Sequence, residues 1–206
     1  SANRQRANRA ADTSPIGGGK GNLGEGGIRV PFIVCGPGVL PGAYCHERVV
    51  GYDLYPTLCA LAGVRRSLPD AIEGGDISGL FATGRGEVER PREEMVFHFP
   101  HYQAGTPHSS IYLDDWKLTY WYEDRTSKLF DRGDDLAEQR DLSGQQARRA
   151  EEMKRLLATY LKDVDASLPT VNGSYDPSKP SVSQQGGRNR QERGDGELRR
   201  RPSTER

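Results

Sequence analysis

The clearest hydrophobic pattern of the chain lies near its C-terminal end. Apolar side chains recur there at spacings of three and four residues: Ala147, Ala150, Met153, Leu156, Leu157, Tyr160, Leu161 and Val164. This spacing places them on one face of an α-helix. Ser143 and Gln146 offer a capping box in front of that face. The sequence therefore predicts an amphipathic helix that begins near Ser143.

Runs of β-branched and aromatic residues predict strands. Residues 28–34 suit a strand, although Pro31 restricts it to the start of a strand or to a sheet edge. Residues 95–99 and 110–122 are read as one strand each, and the second is rich in Trp and Tyr. These last two runs predict an antiparallel sheet that carries Trp116 and Tyr120 against the amphipathic helix.

A shorter helix is predicted from Asp53, which is a candidate N-cap. Leu58 and Leu61 share one face of it, and Gly63 supplies a stop. The following residues up to 92 are rich in turn formers and show no clear period. Residues 17–27 hold seven glycines and predict a loop.

Apolar residues are concentrated in the middle of the 206-residue chain, and both ends are polar. Residues 1–14 and 183–206 hold too few apolar side chains to offset the entropy lost on folding, so we expect them to be disordered. We expect the remainder to divide into residues 15–70 and residues 71–168. An extended arm and an Arg-rich tail would then occupy residues 169–206.

Charge and cysteine content disfavour several classes of protein. The 29 Lys and Arg balance the 29 Asp and Glu, so a generally basic nucleic-acid binder is disfavoured. No apolar run reaches the roughly 18 residues that span a bilayer. The chain opens with Ser1 and shows no signal segment, so we expect a piece of a longer protein. Cys35, Cys45 and Cys59 form no zinc pattern; we expect buried thiols, with a disulfide between Cys35 and Cys45 as the alternative.

Residues 19–24 match the phosphate-loop pattern G-x-G-x-x-G letter for letter. The context excludes a dinucleotide fingerprint, because no buried strand precedes the glycines and a predicted strand follows them. Gly21 after Lys20 excludes a Walker A loop. Successive backbone N–H groups here can still form an anion-binding concavity, to which Lys20 adds a positive charge. On this segment alone, a flexible loop with a solvated lysine is the favoured alternative.

Several short motifs follow one another along residues 15–178. They are Gly-Gly-Lys-Gly at Lys20, Glu-Gly-Gly-Ile-Arg-Val-Pro from Glu25, Asp-Leu-Tyr-Pro-Thr-Leu from Asp53, His-Phe-Pro-His-Tyr from His98, Asp-Trp-Lys-Leu from Asp115 and Lys-Leu-Phe-Asp from Lys128. This succession resembles the C-terminal portion of the formylglycine-dependent, arylsulfatase-like sulfatases of the alkaline phosphatase superfamily. The resemblance implies an α/β fold. Residues 15–70 would end an αβα sandwich, with residues 28–34 as its last central strand, and a small antiparallel sheet with a packed C-terminal helix would follow.

The resemblance also implies the chemistry. In such sulfatases the lysine of the Gly-Gly-Lys-Gly segment points at the substrate sulfate, which assigns that role to Lys20, where a cation can neutralise charge on the departing sulfate. The family hydrolyses sulfate esters, sulfated sugars among them, and uses calcium and formylglycine. A periplasmic or secreted compartment is suggested by the family only.

The chain departs from the family pattern at the reacting groups. The nucleophile arises from the cysteine of C-x-P-x-R, whereas the nearest match, at Cys35, has Val39 in place of arginine. The calcium-binding carboxylates are missing, and residues 1–14 offer only Asp12. We therefore expect an inactive fragment whose partner is the N-terminal half of the same domain. Residues often Arg, Tyr and Arg in the family are here Gly17, Gly24 and Tyr112.

Three histidines, His98, His101 and His108, lie within eleven residues. A structural role, substrate contact at the rim of the sulfatase pocket by His98 and His101, and metal binding are the alternatives. Solvated turn positions are favoured for the adjacent carboxylates: Asp114, Asp115, Asp134 and Asp135.

Two other functions compete with a sulfatase: a phosphoesterase or phosphonate hydrolase of the same superfamily, and a non-catalytic binding domain that kept the pocket rim.

Overall fold

The computed structural model describes residue 16 and residues 19–64, 67–102 and 105–176. In chain order the elements are α1 (Glu25–Ile28), a 3-10 turn (Gly51–Asp53), α2 (Leu54–Leu61), α3 (Ser78–Thr83), β1 (Met95–Phe99), β2 (His108–Leu113), β3 (Trp116–Trp121), β4 (Ser127–Asp131) and α4 (Ala147–Asp163). They belong to two compact units. One joins the residues up to Arg29 to those from Glu94 onward, and the other spans Val30–Glu93. The disorder expected for the two chain ends concerns segments outside the described residues.

The first unit contains a four-stranded antiparallel sheet in the order β1-β2-β3-β4. Side chains alternate between its two faces along each strand. On one face, Ile111, Leu118 and Leu129 are fully buried and pack against α4, and Trp116 and Tyr120 extend this contact. The helix contributes a buried stripe made of Ala150, Met153, Leu157 and Leu161. The predicted antiparallel sheet with a packed C-terminal helix is confirmed.

Two details of this prediction are wrong. Residues 110–122 form parts of two strands, because the chain reverses at Asp114 and Asp115 between β2 and β3. Asp114 has a φ of 51°, a left-handed conformation that Asp adopts more readily than most residues. In addition, α4 begins at Ala147 and has no side-chain cap. The predicted capping residue Ser143 lies in a turn before α4, where its backbone N–H donates to Asp141 Oδ1 at 2.9 Å.

The unit Val30–Glu93 is organised around a buried ion pair. Asp53 is fully buried, and Arg90 donates to both of its carboxylate oxygens at 2.9 and 2.7 Å. The N–H of Gly75 donates to the same carboxylate at 2.9 Å. Asp53 stands at the predicted N-cap position of α2, but its side chain makes no capping hydrogen bond there. A Cβ on Gly74 would lie 2.2 Å from Tyr52 O, so glycine allows this close approach.

Residues 28–34 do not form the predicted strand. Ile28 ends α1, and residues 29–35 form neither helix nor strand. A strand is stabilised by pairing with a neighbour and by cover on its apolar face. Val30 and Ile33 are 76% and 88% exposed, so nothing described covers them.

The expectation of buried thiols is also wrong. Cys35 and Cys45 are exposed, Cys59 is half-buried, and all of them are free. Cys35 and Cys45 lie in segments without regular structure, which offer little surface for burial. Among the described helices, none is long and apolar enough to cross a membrane.

Candidate functional site

Lys20 lies at the corner of a tight turn in the glycine-rich loop. The N–H of Asn22 donates to Gly19 O at 3.1 Å, and Gly21, which follows Lys20, has a φ of 90°. Glycine adopts this conformation without a steric penalty, as the third position of a type II turn requires. Lys20 is exposed, and within the described part of the chain its ammonium forms no hydrogen bond or ion pair. The turn therefore presents a solvent-accessible positive charge.

The segment that follows this turn lies on the sheet face opposite α4. That face carries a set of buried polar side chains: His108, Ser110, Tyr112, Lys117 and Thr119. Ser110 and Thr119 satisfy each other through a hydrogen bond of 2.7 Å between their hydroxyls. The other three contact residues 23–25 directly. One sheet face thus supports the helix, and the other supports the lysine loop.

Glu25, the first residue of α1, is the most connected member of the loop. Its carboxylate accepts hydrogen bonds from the Tyr112 hydroxyl at 2.8 Å and from Arg132 Nη2 at 2.9 Å. Lys117 Nζ lies 3.6 Å from Glu25 Oε1. Burial by itself raises the pKa of this carboxyl, but the Arg132 guanidinium, the Tyr112 hydroxyl and the charge of Lys117 outweigh it and hold the pKa below its ordinary value. Burial and the Glu25 charge raise the pKa of the Tyr112 phenol, which therefore remains a donor.

Lys117 on β3 connects this cluster to the backbone of the loop. Its side chain is 1% exposed, and its Nζ donates to Leu23 O at 2.5 Å and to a carboxylate oxygen of Glu138. The second Glu138 oxygen accepts from the N–H of Glu25 at 3.1 Å. Burial lowers the pKa of Lys117 more than the two neighbouring carboxylates raise it. The cluster holds two cations and two carboxylates, so its formal charges cancel, as burial of such groups requires.

His108 on β2 contacts the other side of Leu23. Its Nδ1 lies 2.7 Å from Thr106 O and donates to it, which leaves Nε2 to accept from the N–H of Leu23 at 3.3 Å. The ring stacks on Trp121, with centroids 6.1 Å apart and planes 17° apart. Burial lowers the pKa of His108, and the charge of Lys117 lowers it further against the opposing effect of the Thr106 hydrogen bond. The ring is thus an acceptor in its neutral form.

The structure separates the three histidines. Alternation along β1 places His98 on the α4 face, where its Nδ1 lies 2.7 Å from Ser109 Oγ and its Nε2 lies 2.9 Å from Ser167 O. His101 follows β1 and is exposed. Of the three, only His108 shares a sheet face with the Lys20 loop. Substrate contact by His98 and His101 stays a prediction.

The residues of the described chain do not fit the calcium site that the resemblance implies. No three His, Cys, Asp or Glu side chains among them are grouped so that they could hold a metal ion, and Ca²⁺ takes six to eight oxygen ligands. Cys35 is exposed, and Val39 stands where the nucleophile motif has arginine. We therefore assign no step of bond cleavage to a metal or a formylglycine held by these residues.

Only weak signals for the buried cluster are visible in the sequence. Lys117 stands between Trp116 and Leu118 in a run of strand formers, where an isolated cation indicates either a solvated face or a covered polar one. The glycine loop covers this face, so Lys117 lies on a covered polar face. Four members of the cluster were not recognised as site residues from the sequence: Glu25, Lys117, Arg132 and Glu138.

Residues 20–166 match the protein family described as "N-sulphoglucosamine sulphohydrolase, C-terminal". The chain is 32% identical over 142 residues to a sulfatase of Formosa agariphila, a match that covers 64% of this chain and 26% of that protein. It is 37% identical over 109 residues to the steryl-sulfatase of Rattus norvegicus, covering 50% of this chain and 18% of that protein. A solved structure of a protein in complex with its substrate D-glucosamine-2-N,6-O-disulfate shares 24% identity, with a TM-score of 0.44, over 55% of this chain and 24% of that one. The chain thus spans about a quarter or less of the length of these proteins.

Proposed function

Because this chain belongs to the family described as N-sulphoglucosamine sulphohydrolase, C-terminal, we propose that it forms the C-terminal part of a sulfate-ester hydrolase and supplies Lys20 to the sulfate pocket. The observation that carries this proposal is the placement of Lys20. Its ammonium is exposed at the corner of a turn, while the residues just after the turn are buried and hydrogen-bonded to the sheet. An accessible cation on an anchored support is what recognition of a sulfate group requires.

The chemistry of lysine suits this role. An ammonium group is a compact point charge with three donors, so it can bind sulfate oxygens without a fixed planar geometry. When the ester bond breaks, negative charge is redistributed over the sulfate and the leaving group. A fixed cation at that place stabilises the transition state most strongly where water is excluded. Lys20 would therefore contribute to substrate binding and to the rate of the chemical step.

In this proposal the remaining machinery belongs to the N-terminal half of the same domain. Calcium and formylglycine would be held there, since the described residues of this chain fit neither. Loss of the nucleophile from a cooperative site typically costs on the order of a million-fold in rate. The isolated chain would consequently have no measurable turnover. Its substrate class would be sulfate esters, with sulfated sugars favoured by the description of the family.

The unit Val30–Glu93 offers a surface for that missing half. Apolar side chains that are ordinarily covered are exposed there: Val30 (76%), Ile33 (88%), Leu58 (62%) and Leu61 (61%). Exposed apolar side chains in such numbers commonly mark an interface. We propose that the N-terminal half of the domain covers them.

An assay with an aryl sulfate and an aryl phosphate tests this function. The proteins compared are this chain, a longer protein that adds the N-terminal half, and that longer protein with Lys20→Ala. We expect sulfate turnover by the longer protein alone, reduced roughly 100- to 1000-fold by Lys20→Ala. Turnover by the isolated chain would overturn the assignment as a partial domain. A preference for the phosphate ester would favour a phosphoesterase, and no turnover by any of them would favour a binding domain.

A further inference from the structure

Both backbone polar groups of Leu23 are bound by side chains of the sheet. The N–H of Leu23 donates to His108 Nε2 at 3.3 Å, and its carbonyl oxygen accepts from Lys117 Nζ at 2.5 Å. His108 lies on β2 and Lys117 on the adjacent β3, 85 and 94 residues away from Leu23 in sequence. Leu23 itself is 8% exposed. The loop is therefore held at this residue from two sides.

Each of the two side chains is fixed by other contacts. The Thr106 carbonyl accepts from His108 Nδ1, and Trp121 stacks on the ring, so both the tautomer and the ring plane are set. Lys117 is fixed by its ion pair with Glu138. Side chains whose rotamers are locked in this way can determine where a backbone segment lies.

A short and rigid path joins Leu23 to Lys20. The turn from Gly19 to Asn22 closes through a backbone hydrogen bond of 3.1 Å, and Asn22 Oδ1 accepts from the N–H of Gly24 at 2.6 Å. Gly27 packs closely beneath this turn, because a Cβ at that position would lie 1.9 Å from Asn22 O. A displacement of Leu23 would therefore displace the turn that carries Lys20.

We propose that His108 and Lys117 are positioning residues, which hold Leu23 by its backbone and thereby set the position of the Lys20 ammonium. Neither side chain needs to touch substrate for this role, because both act through the loop. The catalytic consequence rests on the proposed function of Lys20. Errors of about 1 Å in the placement of a group can cost on the order of 100-fold in rate.

Matched substitutions separate positioning from a general effect on stability. His108→Leu removes the acceptor for the N–H of Leu23, whereas His108→Gln restores an acceptor near the place of Nε2. Lys117→Met removes the donor to Leu23 O at similar side-chain length. Lys128→Met is its control, because Lys128 is exposed on the neighbouring strand β4.

The first readout is amide hydrogen exchange of residues 20–24 in the full 206-residue chain, which does not depend on activity. We expect His108→Leu and Lys117→Met to raise the exchange rates there at least about 10-fold, with sheet amides still protected. His108→Gln and Lys128→Met should leave them near those of the parent chain. Unchanged loop exchange in His108→Leu, with a protected sheet, would overturn the proposal. If Lys117→Met fails to fold, the comparison of His108→Leu with His108→Gln still tests the proposal.

The second readout is kinetic and uses the longer protein with an aryl sulfate, below the melting temperature of every variant. We expect His108→Leu to lower kcat/KM roughly 10- to 100-fold, and His108→Gln to recover most of the loss. Equal kcat/KM in His108→Leu and the parent protein would overturn positioning of a functional group. Full activity of Lys20→Ala would instead overturn the proposed function, while the exchange measurement still decides whether the loop is positioned.

Discussion

Glu25 Oε2 accepts a hydrogen bond of 2.9 Å from Arg132 Nη2, across 107 residues of sequence. Both side chains are at least nine-tenths buried, at 1% and 8% exposure. We expect Glu25→Gln to destabilise the chain by about 3–5 kcal/mol, because it leaves the buried Arg132 charge without its partner. Urea unfolding measures this cost. Glu152→Gln is the control, since Glu152 pairs with Arg148 on an exposed face of α4 and its loss should not shift the midpoint. Equal midpoints for the two variants would contradict the buried network.

The contact between α4 and the sheet predicts a second cost. Leu157 is 3% exposed and packs in the cluster formed with Ile111 and Leu118. Leu157→Ala should lower the free energy of unfolding by roughly 2–5 kcal/mol, from lost burial and the cavity that remains. Leu168→Ala makes the same change at a side chain that is 58% exposed, and should cost less than about 0.5 kcal/mol. Thermal unfolding followed by circular dichroism checks both, and similar melting temperatures would show that α4 is not packed as described.

Two glycines of the lysine loop, Gly27 and Gly19, should respond differently to substitution by alanine. A Cβ on Gly27 would lie 1.9 Å from Asn22 O, whereas a Cβ on Gly19 would meet no atom of the described residues within 4 Å. Gly27→Ala should therefore displace the turn and cost about 1–3 kcal/mol, while Gly19→Ala is tolerated. Amide chemical shifts of residues 20–24 report the displacement. A loop that accepts both substitutions equally would refute the close packing.

His108 predicts how stability depends on pH. Burial holds its folded-state pKa below the value of about 6.5 expected in the unfolded chain. Between these two values the unfolded chain binds a proton that the folded chain does not, so stability falls as the pH decreases below about 6.5 and levels off below the folded-state pKa. Lys117, the cation that faces the ring, strengthens this effect.

His108→Gln cannot take up that proton, and its stability should fall less between about pH 7 and pH 5. Urea midpoints measured across this range for the chain and the variant provide the comparison. The range stops above the pH at which carboxylates such as Glu25 begin to lose their contribution. A variant with the same pH dependence as the parent chain would show that His108 is not buried in its neutral form.

The sequence predicted those parts of the fold that depend on local pattern. The stripe of α4 around Met153 and Leu157 follows helical spacing, and the strand formers at residues 95–99 and 116–121 fall on β1 and β3. The prediction of a single strand over residues 110–122 was wrong, because strand-forming residues stand on both sides of the two-residue turn at Asp114 and Asp115. The prediction of a strand over residues 28–34 was wrong, because a strand forms only where a neighbouring strand pairs with it, and local sequence does not report such a neighbour. The division of the chain at residue 70 stays a prediction.

Of the candidate site, the sequence predicted Lys20. It did not predict the side chains that hold the loop carrying Lys20. Motif order indicated Lys20 because its glycine-rich context is visible in the sequence, and its role at the sulfate stays a prediction. The anchoring of Leu23 by His108 and Lys117 joins residues more than 80 positions apart, and no periodic pattern reports such contacts. Histidine spacing likewise does not report that strand alternation places His98 and His108 on opposite faces of the sheet.

The role of Lys20 in sulfate binding is tested most directly by a crystal structure of the longer protein with a bound sulfate ester analogue. We expect Lys20 Nζ to lie about 2.7–3.0 Å from a sulfate oxygen, the distance of a charge-assisted hydrogen bond, with Leu23 still held by His108 and Lys117. A bound analogue whose sulfate group is contacted by other residues, with the Lys20 ammonium directed into solvent, would contradict it.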